Sequence, residues 1–485
     1  MLPALVGVAA MLLVTRHGAY LSPDALSYVG TARSLVDGHG YTPPPGSPPI
    51  GNFPPLYPLV LAAVGAFGPD PLTAARFVNP IAFGLTIVAV GFLARRMTGS
   101  LPLAVVAQLL VLGGVDFLMY HSAALSEPLF LLFGLLALAA LARPKPRPLL
   151  VALAALLAAA ACLTRYLGLA VIVAGILALA ARRKWTAAAA FGVLALAPLA
   201  GWLAWVRGAE GRTTNRSAVL HGPTVDYFTR GARNASTWLF PQDLAWPWRG
   251  SLAAAVVTLI AVVAWRTRAT AAGDRRPALV VAAFAAAYLA ALVADRSLFD
   301  VTGRLDHRFL MPLHAAAIAL AVWALRGVDL ARSHVARLGL CALVGAQLVT
   351  GGLWVSDALG DPSARPGGFT APAWSSSEAI DQVRALPATR PVYTNEVDAL
   401  YFHTGRVAMP VPEKRALLTG EPNPAYDTQL AAMADGMRSG GLLVYFTAAP
   451  ARTVFLPTPS ELAGQLRLHQ LIRDPVGVVY RMAPT

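Results

Sequence analysis

The chain has 485 residues, of which 56% are hydrophobic and only 13% charged, and its formal net charge is +14. So much apolar sequence excludes an ordinary soluble globular protein. Cys162 and Cys341, both inside apolar runs, exclude a disulfide framework or a cysteine metal site.

Apolar runs of about 17–22 residues predict membrane-spanning helices. In chain order they fall near 1–15, 72–95, 101–120, 124–142, 148–163, 167–182, 187–206, 250–266, 278–296, 310–326 and 336–355, which makes an α-helical polytopic membrane protein of about 11 transmembrane helices. Met1 to Val14 lacks the basic start and small-residue cleavage site of a signal peptide and reads as a first span. Beyond it, Ser22 is a good N-cap and Pro23 a good first helical residue, so an amphipathic helix should run to about Val36 and stop at Gly38 and Gly40. Asp24 then stands in the first turn, where the helix dipole favours a carboxylate. The run from Leu56 to Phe67 is too short to cross and should dip into the interface.

The loops sort by charge. One set holds Arg95 and Arg96; Arg143, Lys145 and Arg147; Arg182, Arg183 and Lys184; Arg266, Arg268, Arg275 and Arg276; and Arg326, Arg332 and Arg337. Asp274 and Asp329 are its only acids. Such loops are cytoplasmic, which puts the N-terminus inside and the C-terminal tail outside. It also explains the basic charge without nucleic acid. Ala, Gly and Arg are abundant and Lys scarce, as in a high-GC bacterial genome, so the bacterial plasma membrane is the expected location. Trp238, Trp246 and Trp248 in the outer loop 207–249 fit an interfacial belt. Asn215 and Asn234 open formal glycosylation sequons, to which a bacterial chain gives little meaning.

From about Ser356 the composition changes, dividing the chain into a membrane part, 1–355, and an outer part, 356–485. Pro362 to Pro372 reads as a linker. Pro391 to Thr394, Leu442 to Phe446 and Val476 to Met482 read as strands, and Ser377 to Leu386 and Tyr426 to Met437 as helices. That pattern is a small α/β domain, a lid or scaffold over the outer face.

Ionisable residues at span ends carry most meaning where they gather on one side. Asp24, Glu127, Arg165 and the group Arg304, Asp306 and Arg308 all fall on the outer side by span counting. Each has a structural reading: a helix-start carboxylate for Asp24 and Glu127, a snorkelling anchor for Arg165, a charged loop for the last group. Together they suit an anionic substrate. A sugar on a lipid phosphate needs no general acid for its leaving group, only cations such as arginine to hold the phosphate and one carboxylate base for the acceptor hydroxyl. Glu127 could orient the acceptor, position Asp24 or share a divalent metal.

Asp24-x-x-x-Tyr28-x-x-x-Ala32, Gly38-His39-Gly40-Tyr41 and Phe53-Pro54-Pro55-Leu56-Tyr57-Pro58 together resemble the first outer loop of GT-C membrane glycosyltransferases. The resemblance is to the family-39-related group, with its protein mannosyltransferases and lipid A aminoarabinose transferases. Ser126-Glu127-Pro128-Leu129-Phe130 resembles their second acidic element, and Arg308-Phe309-Leu310-Met311-Pro312 their Arg-aromatic-x-x-Pro element. The resemblance covers residues 1–325. It implies a catalytic outer face and a polyprenyl-phosphate-linked sugar donor, with Asp24 as base, Glu127 as supporting acid and Arg308 on the donor phosphate. Charge and side add Arg165 and Arg304 to the phosphate ligands, and Tyr28, Tyr57, His121 and Asp306 are candidate substrate contacts. Protein mannosyltransferases carry adjacent acids where Asp24 stands alone, and a β-trefoil that has no counterpart here, so a glycolipid, cell-wall glycan or lipid is the expected acceptor. Two rival classes are a transporter or flippase for lipid-linked sugars and a non-catalytic scaffold. Absence of two comparable halves speaks against the first, and the two acids against the second.

Overall fold

The computed structural model describes residues 1–143, 146–213, 218, 220–267, 274–299, 303–360, 368–417, 419–449 and 454–483. Lys145, Arg268, the sequon at Asn215 and the linker residues 361–367 lie outside them.

The chain opens with α1 (Leu2–Val14), α2 (Pro23–Val36), α3 (Leu56–Gly65) and α4 (Pro71–Thr98). Next come α5 (Leu101–Gly113) and α6 (Val115–His121), α7 (Glu127–Leu141), α8 (Pro148–Thr164), α9 (Leu169–Ala180) and α10 (Trp185–Glu210). The helical part closes with α11 (Val225–Ser236), α12 (Trp246–Arg266), α13 (Arg276–Leu298), α14 (His307–Ala324) and α15 (His334–Gly360). Every expected span has a helix at its place. Among the described residues, six helices are long and apolar enough to cross a membrane, namely α4, α10, α12, α13, α14 with the turn after it, and α15. The expected span at 101–120 is instead the pair α5–α6, bent by 59°. The bend falls at Gly113-Gly114, where a Cβ on Gly113 would stand 2.6 Å from the Gln347 carbonyl oxygen of α15. α1, α7, α8 and α9 are shorter apolar helices.

Burial separates the layers. α7 is buried along nearly its whole length between α4 and α8, whereas α12 buries only Arg249 and exposes Leu252, Val257, Leu259 and Val262. An apolar helix with its surface turned outward suits lipid, where its backbone is already satisfied.

Beyond α15 the chain continues through α16 (Pro372–Ser375), α17 (Glu378–Ala385), β1 (Val392–Thr394), α18 (Val397–Thr404), β2 (Met409–Pro410), α19 (Tyr426–Arg438), β3 (Leu442–Phe446), α20 (Pro459–Leu466), β4 (Leu468–Arg473) and β5 (Gly477–Met482). The strands form one sheet in the order β2-β1-β3-β5-β4, with β1 parallel to β2 and β3 and with β5 antiparallel to β3 and β4. Alternation sets its two faces. Val392, Leu442, Val444, Phe446 and Val479 join the core that continues into the helical part. Tyr393, Leu443, Tyr445, Val478 and Tyr480 pack under Met433 and Met437 of α19 and Leu462 and Leu466 of α20. The strands at β1, β3 and β5 fall where expected. β4 is a mostly exposed edge whose sequence lacks an apolar alternation to announce it.

Candidate active site

The Asp24 helix is built as its sequence dictates. Ser22 caps α2, its Oγ accepting from the Ala25 N–H at 3.3 Å, and Pro23 occupies the first turn beside Asp24. Gly38 and Gly40, at φ of +79° and +77°, turn the chain after the helix, a conformation that costs glycine little.

Ahead of α2, residues 19–21 run extended. The Tyr20 N–H donates to the Ser122 carbonyl at 3.1 Å and the Ala124 N–H to the Tyr20 carbonyl at 2.9 Å. That parallel bridge ties the Asp24 segment to the turn that starts α7, whose first residue is Glu127. Asn79, buried in α4, braces the same turn: its side-chain amide donates to the carbonyls of Ala123 and Leu125 and contacts the Tyr57 hydroxyl. The turn therefore has little freedom, and Glu127 is fixed with it.

From the other side, Asp306 caps α14 by accepting from the Phe309 N–H at 3.0 Å, which aims Arg308 from the first turn. Arg308 Nη1 donates to Asp24 Oδ2 at 2.6 Å, and its Nε donates to Glu127 Oε1. Arg165, in extended backbone just past α8, donates from Nη1 to the same Glu127 oxygen at 2.5 Å. Two carboxylates and two guanidinium groups are thus joined in one chain of contacts, Arg165–Glu127–Arg308–Asp24. Its exposure is graded: the Glu127 side chain is 2% exposed, Arg308 17% and Asp24 32%. Arg308 Nη2 and Glu127 Oε2 are buried with no hydrogen-bond partner among the described residues. Both Arg165 and Arg308 lie against the Phe309 ring, which limits their swing.

The candidate substrate contacts divide. Tyr28 sits against the network, its hydroxyl accepting from Ser126 Oγ at 3.3 Å and its ring packed edge-on to Phe53 and Tyr57. Burial pushes its phenol well up, with Asp24 adding to the rise, so it remains a neutral hydroxyl. Tyr57 and His121 are fully buried, Tyr57 on Asn79 and His121 with Nδ1 on the Phe117 carbonyl at 2.7 Å. Burial holds the Asp306 carboxyl above its usual range, although the Phe309 N–H and Arg308 pull it down. Arg304 is exposed and stands outside the network.

Asn79 and Asp116 were not foreseen as part of this architecture. Asp116, buried in α6, pairs with His307 Nδ1 at 3.0 Å, one residue before Arg308. Both are lone polar residues inside an apolar run, the signal by which they could have been found. Trp238, expected in an interfacial belt, stacks on His314 with ring centres 4.5 Å apart. Among the described residues no three His, Cys, Asp or Glu side chains converge as metal ligands, and both central carboxylates are spanned by one guanidinium.

No family model and no curated protein matches the chain. Solved structures do. The crystal structure of ArnT from Cupriavidus metallidurans bound to undecaprenyl phosphate has a TM-score of 0.65 at 16% identity, covering 100% of this chain and 99% of that one. The apo state of the same protein gives a TM-score of 0.62 at 16% identity, covering 100% and 98%. The mycobacterial arabinofuranosyltransferase AftD gives 0.57 at 15% identity, covering 99% of this chain and 40% of that one. At these identities the likeness shows the fold: this is a polytopic helical protein with the GT-C fold.

Proposed function

We propose that this protein is an integral-membrane glycosyltransferase that moves a sugar from a polyprenyl-phosphate-linked donor to a hydroxyl acceptor outside the cytoplasm. The observation that carries the reading is the division of one guanidinium: Arg308 gives Nε to Glu127 and Nη1 to Asp24, and keeps Nη2 buried without a protein partner among the described residues. Nη2 is the nitrogen left for a donor oxygen. The likeness to a protein crystallised with undecaprenyl phosphate supports a lipid-phosphate donor.

In the reaction, Asp24 takes the proton of the acceptor hydroxyl as its oxygen attacks the anomeric carbon. The bond from that carbon to the phosphate oxygen breaks, and the phosphate leaves as an anion held by Arg308. Attack from the face opposite the phosphate inverts the anomeric centre. Glu127, too buried to meet a bulky acceptor, orients Arg308 together with Arg165. Arg304, exposed at the start of the same segment, adds positive charge at the rim. Tyr28 lines the donor side.

The same reading places the site and the tail, 356–485, outside a bacterial plasma membrane, with the N-terminus inside and eleven crossings in 1–355. The acceptor is a glycolipid, a cell-wall glycan or another envelope lipid. Mass spectrometry of envelope lipids and glycans from a deletion strain tests it. One sugar should be missing, and the wild-type gene should restore it while Asp24→Asn does not. An unchanged envelope, or full restoration by Asp24→Asn, would overturn the assignment.

A further inference from the structure

The segment that leads into α2 has two edges, and the tail occupies the second. Tyr20 pairs with residues 122–124, while the Leu21 carbonyl accepts from the Phe369 N–H at 2.9 Å in a parallel bridge between Leu21 and Gly368. Thr370 Oγ1 donates to the Ala19 carbonyl at 3.2 Å. Residues 19–21 are thus the middle strand of a minimal three-stranded ladder whose outer members are the Glu127 turn and the tail.

Gly368 makes the close approach feasible. Its φ is +55°, and a Cβ there would lie 2.1 Å from the Leu21 carbonyl oxygen. The bridge is backed by rigid packing. Phe369 is 3% exposed and meets Trp374 edge-on, and Trp374 packs on Phe446 of β3 and stacks on His403 of α18. The His403 ring Nε2 lies 2.9 Å from the Phe369 carbonyl. α18 then lies along α2, with Arg33 over the Phe402 ring and Val397 against Gly46. A chain of contacts therefore runs from the core of the sheet to the backbone three residues before Asp24.

We propose that Gly368, Phe369 and Thr370 are positioning residues for Asp24: by adding a strand to residues 19–21 the tail fixes the start of α2 and with it the base. The inference rests on the reading of Asp24 as the base. It assigns the tail a part in catalysis, because a misplacement of about 1 Å can cost ~10²-fold in rate. The Asp306 cap also aims Arg308, and the Asn79 brace also holds the Glu127 turn, so donor binding should depend on the bridge far less than transfer does.

The test uses the full-length protein in detergent with a panel of synthetic undecaprenyl-phosphate sugars, envelope membranes as acceptor, and thermal stabilisation by undecaprenyl phosphate as the binding readout. Gly368→Ala should lower kcat roughly 10–100-fold while stabilisation by undecaprenyl phosphate is kept. Thr370→Val, which exchanges the bonded hydroxyl for a methyl of similar size, should lower kcat a few-fold. In an Asp24→Asn background Gly368→Ala should cost nothing further, because both act through one group. Unchanged kcat in Gly368→Ala, or an equal further loss in the Asp24→Asn background, would overturn the proposal. If Gly368→Ala does not accumulate, Thr370→Val carries the same cycle, and an unchanged kcat there overturns it. Full activity of Asp24→Asn alone would instead sink the base reading, so that single variant tells the two failures apart.

Discussion

Arg308 donates to Asp24 at 2.6 Å across 284 residues of sequence, and the same side chain also donates to Glu127. Two helix starts, at α2 and α7, are thereby locked to a third at α14. Each helix N-terminus favours an anion, and Arg308 is the cation that lets two carboxylates share the space between them.

Replacing that cation should be felt in binding and in stability. Arg308→Ala should weaken undecaprenyl phosphate roughly 10–100-fold, the scale of a lost charge-assisted contact, and slow transfer. It should also lower the thermal midpoint, because Glu127 stays buried with Arg165 alone. Arg308→Lys should recover part of the stability and less of the binding, since one ammonium cannot serve two carboxylates and a phosphate. Titration of detergent-solubilised protein with undecaprenyl phosphate checks this, and wild-type affinity in Arg308→Ala contradicts it.

Glu127→Gln should be the milder lesion. Its carboxylate holds Arg165 and Arg308 rather than reaching an acceptor, and an amide retains one accepting oxygen. Transfer should fall by about tenfold, less than the ~10²–10⁴ expected for a lost base. Complete loss of transfer with normal folding would move Glu127 into the chemistry itself.

Much of the site was legible in the sequence because helix starts are written locally. Ser22-Pro23-Asp24 carries a cap and a charged first turn, and α2 begins there, whereas Asp306, expected as a substrate contact, proves to be the cap of α14. What the sequence did not show depends on contacts between distant segments. Asn79 is one polar residue in an apolar helix until the fold brings the turn at 123–125 to it. α18 has no expected counterpart, because its buried Ala399 and Leu400 matter only once α2 lies opposite. The stack of Trp238 on His314 likewise joins segments distant in the chain.

Orientation is the next expectation. Basic residues mark one set of loops, and the site lies at the other ends of the helices, so a periplasm-only reporter fused after Thr485 should be active. Activity of a cytoplasm-only reporter at that point would put every proposed site residue on the wrong side.

The tail should soften on the acid side through Asp474. Its carboxylate accepts from Ser377 Oγ at 2.6 Å and from the N–H groups of Ala379, Val476 and Gly477, joining α17 to the turn before β5. Burial raises this carboxyl, but the hydrogen bonds outweigh it and hold it below the usual aspartate range. Its folded-state pKa being lowered, the stabilisation is present above the unfolded value of about 3.9 and is lost as pH falls through the folded value. Asp474→Asn should lower the thermal midpoint at neutral pH and flatten its decline below pH ~4. A wild-type midpoint and wild-type acid response in that variant would contradict the assignment.

The decisive variant is Asp24→Asn. The side chain is part exposed and stands at the outer start of α2, so the fold does not depend on its charge as it does on buried Glu127. Asparagine keeps the shape, the cap geometry and an oxygen for Arg308, and it cannot accept a proton at neutral pH. The variant should therefore insert and express normally, keep most of its stabilisation by undecaprenyl phosphate, and lose transfer by ~10²–10⁴. Asp24→Glu should recover part of the rate, because it restores the base at a displaced position, whereas Asp24→Ala should recover none. Transfer at the wild-type rate by purified Asp24→Asn would remove the base from the mechanism. A variant that no longer folds would reduce Asp24 to a partner of the helix start. Retained donor binding with transfer nearly abolished is the outcome that neither alternative produces.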